Sequence, residues 1–411
     1  MRDVFERAII ENPDDVASYS AYADWLQEQG DPRGEFIAVQ LALEDESRPK
    51  EAREALKARE TELLAEYERE WLGELAQFVL DAEPVYRDIP RIEAEFTRGW
   101  LTGLECRSLS VNEARALART PEGKMLRRLL VHGAAYETSG DAPARGSDSC
   151  YAPGPDVPEN IDQYDGPSLY ALTHVPHLAG VRVFRYGDGP TVPGDDGERH
   201  GPCHTSGAFV HGVVARMPQL EELYLYAHSM EPAALFALPL SRLRILRVDH
   251  EMSYPLDVLA ANSLLGNLTH ILCHPHAQRP EDPHAYIRLD QLRALCRSPH
   301  LPRLTYLQLC LTDFGDEGAE EVIASGVLKR LRVLDLSYGC MTDSGAIALA
   351  ACSDLKNLSL LDLTMNSLTE VGIAALTATG VPFKADQQHA EHPSRIDEHG
   401  YLEYLSYGDI E

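Results

Sequence analysis

Residues 304–318 read LTYLQLCLTDFGDEG, residues 331–345 read LRVLDLSYGCMTDSG, and residues 358–372 read LSLLDLTMNSLTEVG. The three stretches start 27 residues apart and carry leucine at their first, fourth and sixth positions. Alternation along a strand directs the fourth and sixth side chains to one face, toward a core. The segment that follows carries glycine and opens a helix rich in alanine. The sequence therefore predicts an array of strand–helix units, since the period fits one strand and one helix.

The spacing resembles the L-x-x-L-x-L-x-x-N-x-L pattern of leucine-rich repeats. The helix-opening segments, 315–319, 342–346 and 369–373, resemble the ribonuclease-inhibitor-like class, whose outer face is α-helical. This resemblance implies an α/β horseshoe solenoid, with parallel strands on the concave face and helices outside. Weaker and irregularly spaced copies of the pattern start at Leu101, Leu126, Leu178, Leu220, Leu243 and Leu268.

Composition divides the chain into three parts. We expect an N-terminal helical domain over residues 1–75, the solenoid over 76–383 and a C-terminal cap or tail over 384–411. Two stretches rich in glycine, proline and aspartate, about 137–170 and 186–204, are expected to be inserted surface loops beside the binding face. Apolar residues near the end of the chain favour a cap over a flexible tail.

Two helix starts are predicted near the N-terminus, because Asn12-Pro13 and Asp31-Pro32 each place a capping side chain before a proline. The charged stretch from Glu51 to Glu70 predicts a long helix, either a spacer or a buried strut. Residues 1–45 resemble the repeat-companion domain of bacterial proteins, a family without an established biochemical activity. The matching residues are Asn12-Pro13-Asp14-Asp15, Tyr22-Ala23-Asp24-Trp25-Leu26, Gly30-Asp31-Pro32, Glu35-Phe36-Ile37 and Gln40. This domain either docks to a second component or caps the first repeat.

The fifth and seventh motif positions should point to the concave surface, opposite the leucines. Aromatic and arginine side chains there are typical of the energetic centre of a protein interface. We therefore predict a non-catalytic scaffold that binds a protein partner on this face. The expected contact residues are Arg182, Phe184, Tyr224, Tyr226, Arg247, Asp249, His274, Gln308, Asp335 and Asp362.

The chain has 411 residues, with 37 Lys and Arg against 65 Asp and Glu, and a formal net charge of −28. Such a negative field disfavours nucleic acid and anionic membranes as partners. It either keeps the protein soluble or complements a basic partner. No membrane segment or signal peptide is predicted, and the eight scattered cysteines fit reduced thiols. A cytoplasmic protein is expected.

The alternative function is an enzyme, or an enzyme subunit, with a Cys/His metal site. The candidate zinc ligands are His270, Cys273, His274 and His276, joined by His200, Cys203 and His204 in the second insert. Strand alternation separates Cys273 from the histidines of its own strand, which weakens this hypothesis. The sequence also lacks phosphate-loop, dinucleotide and nucleophile-elbow motifs, so no enzyme, metal or cofactor is predicted.

Overall fold

The computed structural model describes residues 1–84, 89–133, 166–187, 205–278, 284–389 and 402–405. Packing divides the chain into two compact units. The first comprises Met1–Pro143 and Ala171–Val181, and the second comprises Ala144–Tyr170 and Arg182–Glu411. The domain boundary expected at residue 75 therefore falls inside the first unit.

The first unit begins with helices and continues into a small sheet. Its elements are α1 (Arg2–Glu11), α2 (Val16–Glu28), α3 (Pro32–Leu43), α4 (Lys50–Leu72), α5 (Ala76–Val79), β1 (Ile92–Thr97), β2 (Trp100–Cys106), α6 (Val111–Arg119) and β3 (Arg128–Val131). Strand β1 pairs with β2 antiparallel, and β2 pairs with β3 in parallel.

Beyond these elements, strands and helices alternate along the chain. They are α7 (Gly166–Leu172), β4 (Val183–Tyr186), α8 (Val210–Val214), β5 (Glu222–Tyr226), α9 (Pro232–Phe236), β6 (Ile245–Asp249), α10 (Leu256–Ala261), β7 (His270–His274), α11 (Leu289–Arg297), β8 (Tyr306–Leu309), α12 (Gly315–Ser325), β9 (Val333–Asp335), α13 (Asp343–Ala351), β10 (Leu360–Asp362), α14 (Glu370–Thr379) and β11 (Phe383–Lys384). Strands β4 to β11 pair in chain order, each parallel to the next. The predicted α/β repeat fold is confirmed.

Side-chain caps explain where α2 and α3 begin. The Asp31 carboxylate accepts a hydrogen bond from the Arg33 amide at 3.0 Å, so the start predicted at Asp31-Pro32 is confirmed. The start predicted at Asn12-Pro13 is wrong, because residues 12–15 form a turn in which the Asp15 amide donates to the Asn12 carbonyl. Asp15 then caps α2 by accepting from the Ala17 amide.

The N-terminal helices pack on the β1–β2 hairpin. Tyr22 and Trp100 stack with ring centroids 6.1 Å apart in a buried cluster that includes Ile9, Leu26 and Ile37. Gly34 allows α3 to approach α2, since a Cβ atom there would lie 2.6 Å from the Ala23 carbonyl oxygen. The helices thus cover the first strands of the repeat array.

Helix α4 is charged along its exposed side but contributes to the core of the first unit. Its Leu63 and Trp71 side chains are buried, and the Trp71 ring stacks on Phe36 at 4.7 Å. Phe96 of β1 packs against the same cluster. Of the two roles expected for this helix, the strut fits the observed packing.

Gln40 of α3 ties the helices to the hairpin through its side-chain amide. Its Nε2 donates to the Phe96 carbonyl and to the Glu60 carboxylate, both at 2.9 Å. Its Oε1 accepts from the Gly99 amide at 2.8 Å, in a turn where Gly99 has a φ of 80°. One buried side chain therefore satisfies polar groups from three segments.

We expect Gln40→Ala to lower the unfolding free energy of the first unit by about 2–3 kcal/mol, since buried donors and acceptors would lose their partners. All three tryptophans, Trp25, Trp71 and Trp100, lie in this unit, so tryptophan fluorescence during urea unfolding reports on it alone. The exposed Gln29→Ala change serves as the control. Equal stability of the two variants would contradict the proposed role of Gln40.

In the second unit, strands β5 to β10 each carry a leucine or isoleucine at the same motif position, and these residues lie beside one another on neighbouring strands. The register places Leu223 beside Leu246, Leu246 beside Ile271, and Ile271 beside Leu307. The row continues through Leu334 and Leu361, and all six side chains are buried. Burial of this continuous row holds the unit together, because a single strand–helix unit cannot cover its own leucines.

Neighbouring helices in the last repeats are joined by aspartate clasps. Asp316 Oδ1 accepts from the amides of Thr342 and Gly345, at 2.8 and 3.0 Å, and Asp316 Oδ2 accepts from the Thr342 hydroxyl. Asp343 makes the same three bonds to Thr369 and Gly372 of the following repeat. The glycine is required, since a Cβ on Gly345 would lie 2.6 Å from Asp316 Oδ1.

Residues 382–389 lie alongside β10, on the side opposite β9. The amides of Leu361, Leu363 and Met365 donate to carbonyl groups of this segment at 2.9–3.0 Å. Gln388 Oε1 also accepts from the Leu368 amide at 2.8 Å. The boundary expected at 383/384 falls within β11, and the first part of the expected cap continues the sheet.

The six cysteines in the described segments are free thiols, and no helix there is long and apolar enough to cross a membrane. The first insert predicted over 137–170 lies outside the described residues except for 166–170, which belong to α7. Of the second insert, predicted over 186–204, Tyr186 is a buried residue of β4. Residues 188–204 lie outside the described residues.

Candidate protein-binding face

Three rows of side chains cross the sheet of the second unit on the face opposite the leucines. We name them the amino row, the middle row and the carboxyl row, in the direction of the strands. The amino row is Val183, Glu222, Ile245, His270, Tyr306, Val333 and Leu360. The middle row is Arg185, Tyr224, Arg247, Leu272, Gln308, Asp335, Asp362 and Lys384. The carboxyl row includes Tyr226, Asp249 and His274.

The placement predicted for β4 is wrong. Phe184 pairs with Leu223 and is buried on the leucine side, whereas Arg185 takes the place beside Tyr224. The reason is that Leu178 lies in the short 3-10 helix Pro176–Gly180, so the motif starts at Val181. Arg182 precedes the strand, where its carbonyl accepts the amides of Glu221 and Glu222.

The remaining predicted contact residues lie on the expected face but are not at the surface. Every middle-row residue from Arg185 to Asp362 is at most 8% exposed, and Tyr226, Asp249 and His274 are buried as well. Their exposure, expected from alternation alone, is corrected by the structure. Alternation selects a face of the sheet but does not determine whether other parts of the chain cover it.

Arg247 organises the buried middle of this face. Its guanidinium pairs with Asp249 Oδ2 at 3.0 Å and lies 5.3 Å from the centroid of the Tyr226 ring. The Arg185 guanidinium lies 5.5 Å from the centroid of the same ring, so two cations lie against one aromatic side chain. Burial raises the pKa of Tyr226 and keeps its hydroxyl neutral. These polar groups stabilise one another inside the protein.

Arg247→Met should lower the unfolding free energy by about 3–5 kcal/mol, because Asp249 would be left as a buried charge without its cation. Adding Asp249→Leu should recover much of that loss. The control is Arg244→Met, since Arg244 is exposed and pairs with Glu221 and Glu222 at the strand edge. Circular dichroism during urea unfolding measures all three variants. If Arg247→Met alone is as stable as the Arg244→Met control, this account is contradicted.

The asparagine position of the repeat also forms bonds between repeats. Asn366 Nδ2 donates to the Leu336 carbonyl, and its Oδ1 accepts from the Met341 amide, both at 2.9 Å. Glu251 occupies the equivalent position after β6, where Oε2 accepts from the Met230 amide and Oε1 from the Met252 amide, both at 2.8 Å. Burial raises the pKa of Glu251 despite these amide donors.

Glu251 should make stability depend on pH. Because its pKa is higher in the folded protein, the folded state binds the proton more tightly, and the unfolding free energy falls as pH rises above the ordinary glutamate value of 4.5. Glu251→Gln removes this contribution, apart from a constant offset for one lost amide bond. Wild type should therefore lose stability relative to the variant between pH 4.5 and 7. A constant difference across that range would refute the assignment.

The candidate zinc ligands on β7 do not converge. His270 stacks on Tyr306 at 5.2 Å at the amino end of the strand, Cys273 is buried on the leucine side, and His274 points to the opposite face. Burial raises the pKa of Cys273 well above its ordinary value. Within the described ranges no three His, Cys, Asp or Glu residues are grouped to hold a metal ion. His200, Cys203 and His204 lie outside them.

A histidine cluster at the carboxyl ends of the strands was not predicted. The His228 ring lies 6.0 Å from His250 and 5.1 Å from His276. All three follow their strands by one or two residues, which is the signal that sequence reasoning could have used. His250 also has a φ of 69°. Leu311, Tyr338 and Met365 occupy the same repeat position and have positive φ values as well.

The amino row is the accessible part of this face. Its side chains are half-buried, and from β6 onward they are mostly apolar or aromatic: Ile245, His270, Tyr306, Val333 and Leu360. Burial lowers the pKa of His270, which favours a neutral ring in this row. This row was not predicted, because the prediction used only the fifth and seventh motif positions. The third position lies two residues before the fifth and therefore points to the same face of the sheet.

Comparison with known proteins agrees with the repeat register. A family model described as "Leucine Rich repeat" matches residues 329–350, which contain β9 and all but the last residue of α13. The protein has an α/β leucine-rich-repeat fold. The chain is also similar to a crystal structure of a protein from Bacteroides fragilis, with 17% identity over 85% of this chain and 87% of that chain and a TM-score of 0.47. No curated protein matches. The repeat-companion resemblance of residues 1–45 stays a prediction.

Proposed function

We propose that this protein is a non-catalytic scaffold that binds a protein partner on the sheet face of its second unit, through the amino row. The observation that carries the proposal is the continuous line of half-buried apolar and aromatic side chains across five strands, with exposed arginines beside it. An apolar centre with a charged rim is the usual composition of a protein interface. Leucine-rich repeats support the same function in general terms.

The length of the row defines the size of the contact. Ile245 and Leu360 are separated by four inter-strand spacings of about 4.8 Å, or roughly 19 Å. That length accommodates about six residues of an extended segment or roughly three turns of a helix. Tyr306, at the centre of the row and stacked on His270, is the residue we expect to contribute most to binding.

The rim also favours a particular kind of partner. Arg244 is engaged by Glu221 and Glu222, and Arg332 donates to the Asn357 carbonyl, so both cations already have partners. The chain as a whole carries a net charge of −28. We propose that the partner's contact surface is apolar and is surrounded by basic residues. Long-range attraction between those residues and the negatively charged chain would then accelerate association.

Three buried thiols support a binding function over catalysis. Burial raises the pKa of Cys296 to about 12, and Cys106 and Cys273 are shifted in the same direction. Such thiols are protonated at neutral pH and make poor nucleophiles or metal ligands. Free thiols also favour a cytoplasmic setting. Within this proposal, the N-terminal helices cap the first strands of the array.

The test compares two double variants that add the same charge at different surfaces. Tyr306→Glu with Val333→Glu disrupts the amino row, whereas Ile347→Glu with Val371→Glu alters exposed positions on α13 and α14. We expect affinity purification from the native host to recover a partner with wild type and with the helix variant. Recovery should fall at least tenfold with the row variant, because buried carboxylates would oppose the apolar contact.

Circular dichroism must first show that both double variants remain folded. Equal recovery of every partner by the row variant and the helix variant would refute the amino row as the binding surface.

A further inference from the structure

The segment Leu402–Leu405 fills a groove at the carboxyl ends of β8 and β9. Tyr404 and Leu405 are buried, and they cluster with Ala285, Cys310 and Leu311. Tyr338, Cys340 and Leu402 pack around this cluster and are partly buried. The groove starts at the carboxyl row, where Cys310 holds the position equivalent to His274, and lies at the opposite end of the strands from the amino row.

Two loop segments form the walls of the groove. On one side the Gln278 amide donates to the Leu405 carbonyl at 3.0 Å. On the other side the Ala285 amide donates to the Asp313 carboxylate, and Ile287 bridges to Thr312. The Tyr338 ring, which contacts His274 edge-on at 5.7 Å, lies beside the carboxyl row. The groove is thus built by the repeats and the loop before α11.

The contacts of Leu402–Leu405 resemble those of a bound peptide more than those of an additional strand. Residues Glu403–Leu405 form a single 3-10 turn outside the sheet, and two large side chains insert into the groove. The Tyr404 hydroxyl and the Cys340 thiol form a hydrogen bond, and burial raises the pKa of that thiol to about 11. Burying two side chains yields free energy of the same order as the entropy lost by ordering four residues. Docked and released states should therefore be close in free energy.

We propose that this groove is a docking site for a short segment of a protein partner that presents tyrosine followed by an aliphatic residue. The chain's own Leu402–Leu405 occupies the groove as an internal competitor. A partner segment with the same chemistry would insert its ring against Cys310 and Leu311 and donate its hydroxyl near Cys340. Twelve residues of chain, 390–401, lie between residues 382–389 and Leu402, a length that allows the competitor to leave the groove while β11 stays paired.

The first test uses a fluorescent peptide of residues 399–408 and the full-length protein. Tyr404→Ala with Leu405→Ala removes the internal competitor, and we expect this variant to bind the peptide about tenfold more tightly than wild type, as a competitor docked nine-tenths of the time requires. The exposed Asp386→Ala change is the matched control and should behave as wild type. A peptide with alanine at both positions should not bind. Equal affinity of wild type and the double variant would overturn the proposal.

A second measurement covers the case in which the double variant does not fold. In the unaltered protein, release of the segment exposes Cys340 without exposing Cys273, which is buried in the leucine core. Alkylation followed by peptide mapping should modify Cys340, and an excess of the 399–408 peptide should slow that reaction by refilling the groove, while the rate at Cys273 stays unchanged. Because Cys340 is only partly buried with the segment in place, the effect of the peptide is the informative comparison. A Cys340 rate that the peptide does not change would refute an exchangeable segment.

This inference rests on the proposed function in taking the partner to be a protein, but its site is separate. The variant Tyr306→Glu with Val333→Glu should bind the peptide as wild type does. If no protein binds the peptide, the groove is refuted as a docking site and the proposal for the amino row is unaffected. If the affinity purification recovers the partner equally from the row variant and the helix variant, only the amino row is refuted as a binding surface.

Discussion

Each strand–helix unit can bury its leucines only against the next unit, and the rest of the structure depends on this constraint. The row from Leu223 to Leu361 is continuous because neighbouring parallel strands are in register. A slip of one residue would move a strand's leucines to the opposite face. The clasps of Asp316 and Asp343, together with the side chains of Asn366 and Glu251, fix the spacing at the strand ends and helix starts. The open C-terminal side of this row needs covering, which residues 382–389 provide.

The register that aligns the leucines also aligns the opposite face into rows with different properties. The middle row is buried from Arg185 to Asp362, so its charges must be satisfied internally, as the pairing of Arg247 with Asp249 of the carboxyl row shows. The amino row stays accessible and is mostly apolar. One face of the sheet therefore combines a buried polar network, which determines stability, with an accessible apolar line, which is suited to recognition. Substitutions in the two rows should have different effects for this reason.

The residues that suggested a repeat-companion domain have packing roles in the first unit. Asp31 caps α3, Gly34 permits close approach of α2 and α3, and Gln40 binds the turn of the β1–β2 hairpin. Trp25 is partly buried against Tyr22 and Phe5, and Asp24 is exposed beside it. These roles explain a specific sequence pattern without catalysis. They also explain why helices and first strands form one compact unit.

The sequence by itself determined the repeat period, the alternation of leucines, the Asp31 cap and the fold class, because each depends on residues a few positions apart. It did not determine the motif start at Val181, the burial of Arg247 and Asp249, or the bonds of Gln40 to Phe96 and Gly99. Nor did it identify the groove that holds Tyr404 and Leu405. Those features arise between residues distant in the chain, and burial of a side chain depends on what packs over it. Local spacing predicts the face on which a residue lies, and only the tertiary structure decides whether that face is open to a partner.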